Sequence, residues 1–279
     1  MFSISATPSG VSLPEAEIRI GIPESVDSAF IPRSSISIDS YLKHYNVNYV
    51  VLTWSPDFVN TYEKLNYSKD ITEYARFRTG SNKWTMGDVI WLINELHSRR
   101  VKVLLGVYLR VEEIKPHYGV QGYSVDWVKR HPEVISEAKI LLFNNTIKID
   151  DSSIYPYSEY FAERIKRIIK DMGYDGVYLI GWSNWKKNTR GLSHIIPLIN
   201  ELKKRGETVF IEGPESTYCI EETVNLLELS DYVVLKTAPW VYTVYYARTD
   251  NVTLTDYKNY ISELFSRLDE HSKRKVLFS

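Results

Sequence analysis

The sequence predicts an α/β fold of the (β/α)8 TIM-barrel type, in which parallel strands alternate with helices along the chain. Short apolar runs without polar alternation, such as Val177 to Ile180, are typical of strands that are buried on both faces. This run follows a stretch, Tyr160 to Met172, whose apolar residues recur on one helical stripe. No glycine-rich phosphate-binding loop follows any strand, and the loops after the strands are long. A barrel is therefore favoured over a doubly wound nucleotide-binding sheet.

The predicted domain organisation is an N-terminal arm over residues 1–16 and one barrel-like domain over residues 17–279. Seven strands are predicted, within residues 18–22, 49–52, 103–109, 177–180, 208–211, 232–235 and 275–278. A closed (β/α)8 barrel needs one strand more. Three alternatives follow: a strand is missed, the barrel is open or irregular, or the chain is the C-terminally truncated fragment of a longer protein.

Helices between these strands are predicted from apolar stripes and end signals. Ser37 is the predicted cap of the first helix, and Thr85 with Asp88 forms a capping box at the start of another. A helix with its stripe from Leu192 to Leu202 contains Pro197, which is expected in the first turn, where a missing N–H does little harm. Two more helices are predicted over residues 220–229 and 254–268.

Two long insertions, at about residues 55–84 and 111–157, interrupt the strand and helix alternation. Connections of this length usually serve a site or carry small elements of their own. Within the second insertion we expect short helices near residues 125–129 and 132–138. A hairpin is also predicted there, around Asn144 and Asn145 in KILLFNNTIKI.

The composition limits the partners of the chain. Of its 279 residues, 44% are hydrophobic, which is enough for a large core. The formal net charge of -1 argues against nucleic acid and against an anionic membrane surface. No apolar run is long enough to span a bilayer, and no secretory signal is visible. A cytoplasmic location is therefore predicted, or an extracellular one if the chain is a fragment.

The cysteine and histidine content predicts neither a metal nor a cofactor. Cys219 is the single cysteine, which excludes an internal disulfide and disfavours a zinc site built on thiolates. The six histidines show no ligand spacing. Glutamine occurs once, at Gln121, in a chain rich in Ile, Tyr, Lys and Glu, and this bias is typical of a thermophile's protein. Nothing in the sequence indicates the oligomeric state.

Active residues of such barrels lie at the C-terminal ends of the strands. The carboxylates at these positions are Asp57, Glu112, Glu212 and Glu215. Glycoside hydrolysis usually requires two carboxylates across a sugar, and Glu212 and Glu215, in FIEGPES, are the favoured catalytic residues. The alternative is that Glu212 forms an ion pair with Lys236 or Arg110 and that Glu215 caps the helix that follows.

Aromatic and basic side chains at the same strand ends are predicted to bind a carbohydrate. They are Trp54, Tyr108, Arg110, Trp182, Trp185 and Lys236. Aromatic faces stack on sugar rings because the C–H faces of a pyranose are apolar and its edges are polar. The alternative for the tryptophans is core packing between the loops and the barrel.

Three stretches resemble the barrels of glycoside hydrolases in the α-amylase, α-galactosidase and polygalactosaminidase neighbourhood: VKVLLGVYLR, WVKRHPEVI and YFAERIKRIIKDMGYDGVYLI. The resemblance covers about the middle third of the chain. In those relatives a strand written Asp-Gly-apolar-x-apolar-Asp ends in a catalytic aspartate. Here Asp175 and Gly176 begin the matching strand, and Ile180 occupies the catalytic position. The resemblance implies a barrel that acts on carbohydrate, with a structural role for Asp175 at the opposite end of the strand.

Two functions are consistent with these residues. The first is a glycoside hydrolase in which Glu212 is one catalytic carboxylate and Asp57, Glu112 or Glu215 is the other. The second is a barrel domain without catalysis, which binds sugar or forms a structural part of a larger protein. Ile180 favours the second function, whereas the charged and aromatic residues at the strand ends favour the first.

Overall fold

The structure is a computed structural model that describes residues 20–21, 35–75, 83–109, 140–143, 146–149, 154–180, 190–213, 220–235 and 254–278. Its strands are β1 (Ile20–Gly21), β2 (Tyr49–Trp54), β3 (Lys102–Tyr108), β4 (Ile140–Phe143), β5 (Thr146–Ile149), β6 (Gly176–Ile180), β7 (Val209–Glu212), β8 (Tyr232–Leu235) and β9 (Val276–Phe278). Its α-helices are α1 (Ser35–Tyr45), α2 (Pro56–Thr61), α3 (Met86–Ser98), α4 (Ile154–Met172), α5 (Arg190–Lys204), α6 (Ile220–Leu229), α7 (Leu254–Arg267) and α8 (Glu270–Lys273).

Within the described residues, seven strands form one sheet in the order β1-β2-β3-β6-β7-β8-β9, and every neighbouring pair is parallel. This confirms the predicted parallel α/β architecture and the seven predicted strands. The hairpin predicted around Asn144 and Asn145 is also present, because β4 and β5 pair in antiparallel register. The predicted short helices of the second insertion lie outside the described residues, as does the predicted N-terminal arm.

The sheet is curled, so that one of its faces encloses an interior. The cluster of buried side chains on this enclosed face consists of strand residues alone: Val51, Leu104, Tyr178, Ile180, Phe210, Val234 and Leu277. The ring centroids of Tyr49 on β2 and Phe210 on β7 lie 5.5 Å apart across it. Since β3 and β6 lie between these strands, a flat sheet would hold the two residues about 14 Å apart. Helices cover the other face, so the sheet is a barrel wall and not a doubly wound sheet.

The unit of α4 and β6 shows why the sequence folds in this way. Phe161, Ile165 and Ile168 on the apolar stripe of α4 are fully buried in the layer between helices and sheet. Gly173 ends the helix with φ +84°, a conformation that costs glycine little. All five residues of β6 are then buried, as predicted for a strand that is covered on both faces.

The helix ends match the sequence signals in one case and differ in two. Thr85 and Asp88 form the predicted capping box of α3, with the Asp88 N–H donating to Thr85 Oγ1 over 3.2 Å. The predicted cap at Ser37 is wrong, because α1 begins at Ser35. Pro197 does not lie in a first turn, because α5 begins at Arg190 and Pro197 is inside the helix. In both cases the helix starts before its apolar stripe does.

The first insertion carries small elements of its own within the described residues. These are α2 and two 3-10 turns, Tyr62–Lys64 and Thr72–Tyr74. The Ile71 N–H donates to the Trp84 carbonyl over 2.8 Å, and both side chains are buried. The end of the connection is thereby held to its middle, with both side chains in the core.

At the amino-terminal edge of the sheet, Asp175 joins β3 to the chain that enters β6. The Val103 N–H donates to Asp175 Oδ2 over 2.7 Å, and the Asp175 N–H donates to the Val103 carbonyl over 2.8 Å. His97 Nε2 lies 2.8 Å from the same carboxylate oxygen. We call this set the Asp175 clamp, and it gives Asp175 the predicted structural role.

A second clamp, the Asp231 clamp, repeats this geometry between β7 and β8. The Val209 N–H donates to Asp231 Oδ2 over 2.8 Å, and the Asp231 N–H donates to the Val209 carbonyl over 3.0 Å. Lys203 Nζ donates to the same Asp231 oxygen over 2.6 Å. In each clamp the side chain beside the carboxylate, His97 or Lys203, comes from the helix that precedes the first of the two strands.

Candidate functional site

The candidate site is the carboxyl-terminal end of the enclosed face. Side chains alternate along a strand, so each strand directs every second residue to the interior. On β7, Phe210 belongs to the enclosed cluster and Val209 and Ile211 to the helix-covered layer, which directs Glu212 to the interior. The same alternation on β2 directs Thr53 inward.

Glu212 is the last residue of β7 and only 3% exposed. In the part of the chain that the structure describes, it is the one acidic side chain that is buried. A carboxyl group is costly to bury, and barrels carry their chemistry at this end of the strands. Of the predicted catalytic carboxylates, Glu212 is therefore the one whose described surroundings fit a site.

Gly213 fixes the path of the chain directly after Glu212. Its N–H donates to the Val234 carbonyl over 2.8 Å. A Cβ atom at this position would lie 2.5 Å from Leu235 Cδ2 on the neighbouring strand. A glycine is therefore needed for the chain to leave β7 so close to β8.

Thr53 lies one residue before the end of β2 and is fully buried. Its hydroxyl oxygen, Oγ1, has no hydrogen-bond partner. Thr53 is opposite Gly106 in the register of β2 and β3, and a Cβ atom on Gly106 would lie 2.6 Å from Oγ1. The position of the Thr53 side chain therefore requires glycine at position 106.

The end of β6 contributes an apolar side chain to the same face. Ile180 is 3% exposed and packs in the enclosed cluster, where the glycoside hydrolase resemblance has a catalytic aspartate. Its carbonyl accepts the Leu109 N–H over 2.5 Å, which ties the end of β6 to the chain that leaves β3. The described part of β6 therefore directs no carboxylate to this end of the enclosed face.

Trp54 does not meet the expectation that its ring stacks on a sugar, because it points to the helix-covered face and is fully buried. Its ring stacks on Phe58 with centroids 4.4 Å apart, and its indole N–H donates to the Tyr174 hydroxyl over 3.0 Å. Burial raises the pKa of the Tyr174 hydroxyl, which keeps this group neutral. Trp54 therefore has the alternative role, core packing.

The other predicted residues have no described side chain. Asp57 lies in α2, and Tyr108 ends β3 opposite Ile180 in register. The residues outside the described ranges are Arg110, Glu112, Trp182, Trp185, Glu215 and Lys236. The alternative ion pair of Glu212 with Lys236 or Arg110 therefore stays a prediction.

The described ranges contain neither a cluster of metal-ligating side chains nor a helix suited to crossing a membrane. Among the described residues, no group of three or more His, Cys, Asp or Glu side chains is placed to hold a metal ion. No helix in those ranges combines the length and the apolar character that crossing a bilayer requires.

A comparison with protein-family models found no match, and a comparison with curated proteins found none either. Among solved structures, the chain is similar to a cycloisomaltooligosaccharide glucanotransferase of Paenibacillus sp., complexed with cycloisomaltoheptaose. The identity is 13% and the TM-score 0.53, over 94% of this chain and 38% of that one. It is also similar to a maltogenic α-amylase of Thermotoga neapolitana, at 13% identity and a TM-score of 0.46, over 90% of this chain and 56% of the amylase chain. A chitinase of Pseudoalteromonas aurantia is similar at 14% identity and a TM-score of 0.46, over 93% of this chain and 78% of the chitinase chain.

At these identities the likeness concerns the fold alone. The chain has a TIM-barrel-like fold, as predicted from the sequence, and shares this fold with the glucanotransferase. It spans 38% of the length of the glucanotransferase and 56% of that of the amylase.

The site thus combines a buried carboxyl group with a buried hydroxyl group at one end of the barrel interior. A carboxyl group in such surroundings can act as a general acid, a general base or a nucleophile. Sequence reasoning found Glu212 and missed Thr53. Thr53 is a polar residue near the end of an otherwise apolar strand, two positions after Val51 and therefore on the same face of the strand. This is the sequence signal that could have found it.

Proposed function

We propose that the chain is a glycoside hydrolase-like barrel that acts on a polysaccharide or an oligosaccharide through Glu212. The observation that carries this proposal is the burial of the Glu212 carboxyl group on the enclosed face, at the carboxyl-terminal end of β7. In barrels of this type that end holds the catalytic residues, and conserved geometry at the other end serves stability. The fold shared with a glucanotransferase supports carbohydrate as the substrate class.

Glu212 is one of the two carboxyl groups that cleavage of a glycosidic bond requires. In the cleavage of a glycosidic bond, one carboxyl group donates a proton to the leaving oxygen and the other acts as the nucleophile or as the base that activates water. The second group is supplied by Asp57, Glu112 or Glu215, each of which follows a strand in the sequence. The distance between this second carboxyl group and that of Glu212 determines the stereochemistry of cleavage. A distance of about 5 Å gives retention of the anomeric configuration, and about 6.5–9.5 Å gives inversion.

Substrate binding in this proposal uses the remaining side chains predicted at the strand ends. They are Tyr108, Arg110, Trp182, Trp185 and Lys236. The aromatic rings stack on the apolar faces of the sugars, and the basic groups donate hydrogen bonds to their hydroxyl groups. Trp54 is excluded from this set because its ring is enclosed by the core.

A second function, a barrel domain that binds carbohydrate without cleaving it, is favoured by Ile180. This side chain is buried in the enclosed cluster, so β6 provides no carboxylate there. Binding without turnover requires the aromatic side chains and leaves Glu212 as a hydrogen-bonding group.

The test is a panel of polysaccharides, oligosaccharides and aryl glycosides, assayed at elevated temperature with the wild type and Glu212→Gln. Glutamine keeps the size of the side chain and removes its ability to transfer a proton. We expect Glu212→Gln to lower the rate about 10²- to 10⁴-fold, the usual contribution of a general acid or base. Asp57→Asn, Glu112→Gln and Glu215→Gln then identify the second carboxylate by an equivalent loss.

Asp175→Asn is the matched control, because Asp175 lies at the opposite edge of the sheet. Its rate should stay within a few-fold of the wild type at a temperature where both are folded. Equal activity of Glu212→Gln and the wild type would refute the catalytic role. Calorimetric binding of an oligosaccharide by a wild type that cleaves nothing would identify the non-catalytic domain.

A further inference from the structure

In the described part of the candidate site, the Thr53 hydroxyl is a polar group that the fold itself does not use. Thr53 is fully buried, and its Oγ1 has no hydrogen-bond partner. Buried polar groups in folded proteins almost always have a partner, so an exception calls for an explanation. By contrast, the carboxylates of Asp175 and Asp231 at the other edge of the sheet are both hydrogen-bonded.

The hydroxyl and Glu212 belong to the same end of the barrel interior. Tyr49 and Phe210 lie in ring contact across that interior, so β2 and β7 face each other. Thr53 is four residues beyond Tyr49, and Glu212 is two residues beyond Phe210, on the same faces of their strands. Because both strands run in the same direction, the two polar side chains lie toward the same mouth of the barrel.

Gly106 packs directly against Thr53 on the neighbouring strand. A Cβ atom on residue 106 would lie 2.6 Å from Thr53 Oγ1 and 2.7 Å from Val51 Cγ1. Any larger residue at position 106 would therefore displace the Thr53 hydroxyl from its place. The pairing of a glycine with a hydroxyl-bearing residue across β2 and β3 therefore leaves a polar position in an otherwise apolar wall.

Valine has nearly the shape of threonine and would remove the unpaired group. The fold alone gives no reason for threonine here, since an unsatisfied buried hydroxyl lowers stability. We propose that Thr53 is a ligand-binding residue of the site that contains Glu212, and that its hydroxyl exchanges a hydrogen bond with a hydroxyl group of a bound sugar. The sugar as ligand rests on the proposed function. Since Oγ1 is enclosed without ligand, binding has to part the side chains that cover it.

The test compares Thr53→Val, Thr53→Ser and Thr223→Val with the wild type. Thr223 is the matched control because it is also fully buried but has a partner, with its Oγ1 3.0 Å from the Tyr260 hydroxyl. We expect Thr53→Val to raise the melting temperature by a few degrees and Thr223→Val to lower it by a similar amount. On the glycan identified with Glu212, Thr53→Val should lower kcat/KM about tenfold, and Thr53→Ser should retain most of it.

The outcomes separate this inference from the proposed function. If Thr53→Val lowers the melting temperature as Thr223→Val does, the hydroxyl has a structural partner and the inference is overturned. If Thr53→Val is stabilised but cleaves and binds the glycan as the wild type does, the inference is overturned while the function of Glu212 stands. If the wild type neither binds nor cleaves any glycan, the proposed function fails, and the sugar contact of Thr53 fails with it whatever the melting temperatures are.

Discussion

The two edges of the sheet use their polar groups in opposite ways. At the amino-terminal edge, Asp175 and Asp231 each accept an N–H from the start of a neighbouring strand, that of Val103 or Val209, and lie beside a side chain that carries or can carry positive charge. At the carboxyl-terminal end, the Thr53 hydroxyl has no partner, and the Glu212 carboxyl group is buried in the interior. The first edge joins strands to each other, whereas the second presents polar groups to the space that the strands enclose.

This difference indicates how the fold separates stability from function. The clamps fix the relative height of β3 and β6 and of β7 and β8 from the amino-terminal edge of the sheet. The carboxyl-terminal end is then free to hold groups that the fold does not need. If this interpretation is right, the two ends respond differently to the same kinds of substitution.

The largest effect is expected from Gly106→Ala, which tests whether the carboxyl-terminal end is fixed by close packing. The added Cβ would lie 2.6 Å from Thr53 Oγ1 and 2.8 Å from Thr53 Cα, and a backbone atom cannot move aside cheaply. We expect a loss of about 2–3 kcal/mol in the free energy of unfolding, typical of overpacking. Urea unfolding measures it.

Gly87→Ala is the control for Gly106→Ala. Its Cβ would also meet an atom at 2.6 Å, but that atom belongs to the Tyr67 ring, which is 62% exposed and can turn away. Gly87 lies inside α3, where alanine is the better helix former, so this variant should be neutral or slightly stabilised. A loss as large as that of Gly106→Ala would contradict the packing argument.

The next effect concerns the clamps themselves, through Asp175→Ala and Asp231→Ala. Each substitution removes the acceptor of a strand N–H, on Val103 or Val209, and both valines are fully buried. We expect each variant to lose about 1–2 kcal/mol, the cost of leaving a buried donor without a partner. Thermal unfolding should show this as a fall of several degrees.

Asn variants at the same two positions separate the hydrogen bond from the ion pair. An asparagine side-chain oxygen still accepts the N–H but carries no charge. The Asp175 and Asp231 side chains are 29% and 31% exposed, so their ion pairs should contribute less than about 1 kcal/mol. If the Ala variants weakened glycan binding by more free energy than they lost in unfolding, the clamped edge would also serve function, and the contrast between the two edges would be wrong.

The sequence predicted the strands better than it predicted which way their residues point. An apolar run such as that of β2 is covered on both faces, so it lacks the polar alternation that marks an inner and an outer side. Trp54 was therefore expected at the site, although it lies on the same face of β2 as Val50 and Leu52, which belong to the helix-covered layer. Thr53 was missed for the same reason.

Glu212 could be predicted because its position depends on local signals. It follows an apolar strand and precedes Gly213 and Pro214, a combination that ends a strand. The clamps could not be predicted, because each joins residues that are far apart in sequence. Asp175 and Val103, for example, are 72 positions apart, and only the parallel register brings them together.

The smallest expected effect is the pH dependence of Asp269, the cap of α8, the short helix that leads into β9 at the clamped edge. The Ser272 N–H donates to the Asp269 carboxylate over 2.7 Å, and this bond lowers the pKa of the Asp269 carboxyl group. A lowered pKa in the folded chain means that the carboxylate stabilises the fold above the ordinary aspartate pKa of about 3.9. That contribution is lost as the pH falls through the folded-state pKa. Asp269→Asn caps without titrating, so the wild type should be the more stable at neutral pH and should lose this advantage at an acid pH below the folded-state pKa. Urea midpoints of both proteins at the two pH values measure the difference, and a difference that stays constant would show that the carboxylate charge does not stabilise this edge.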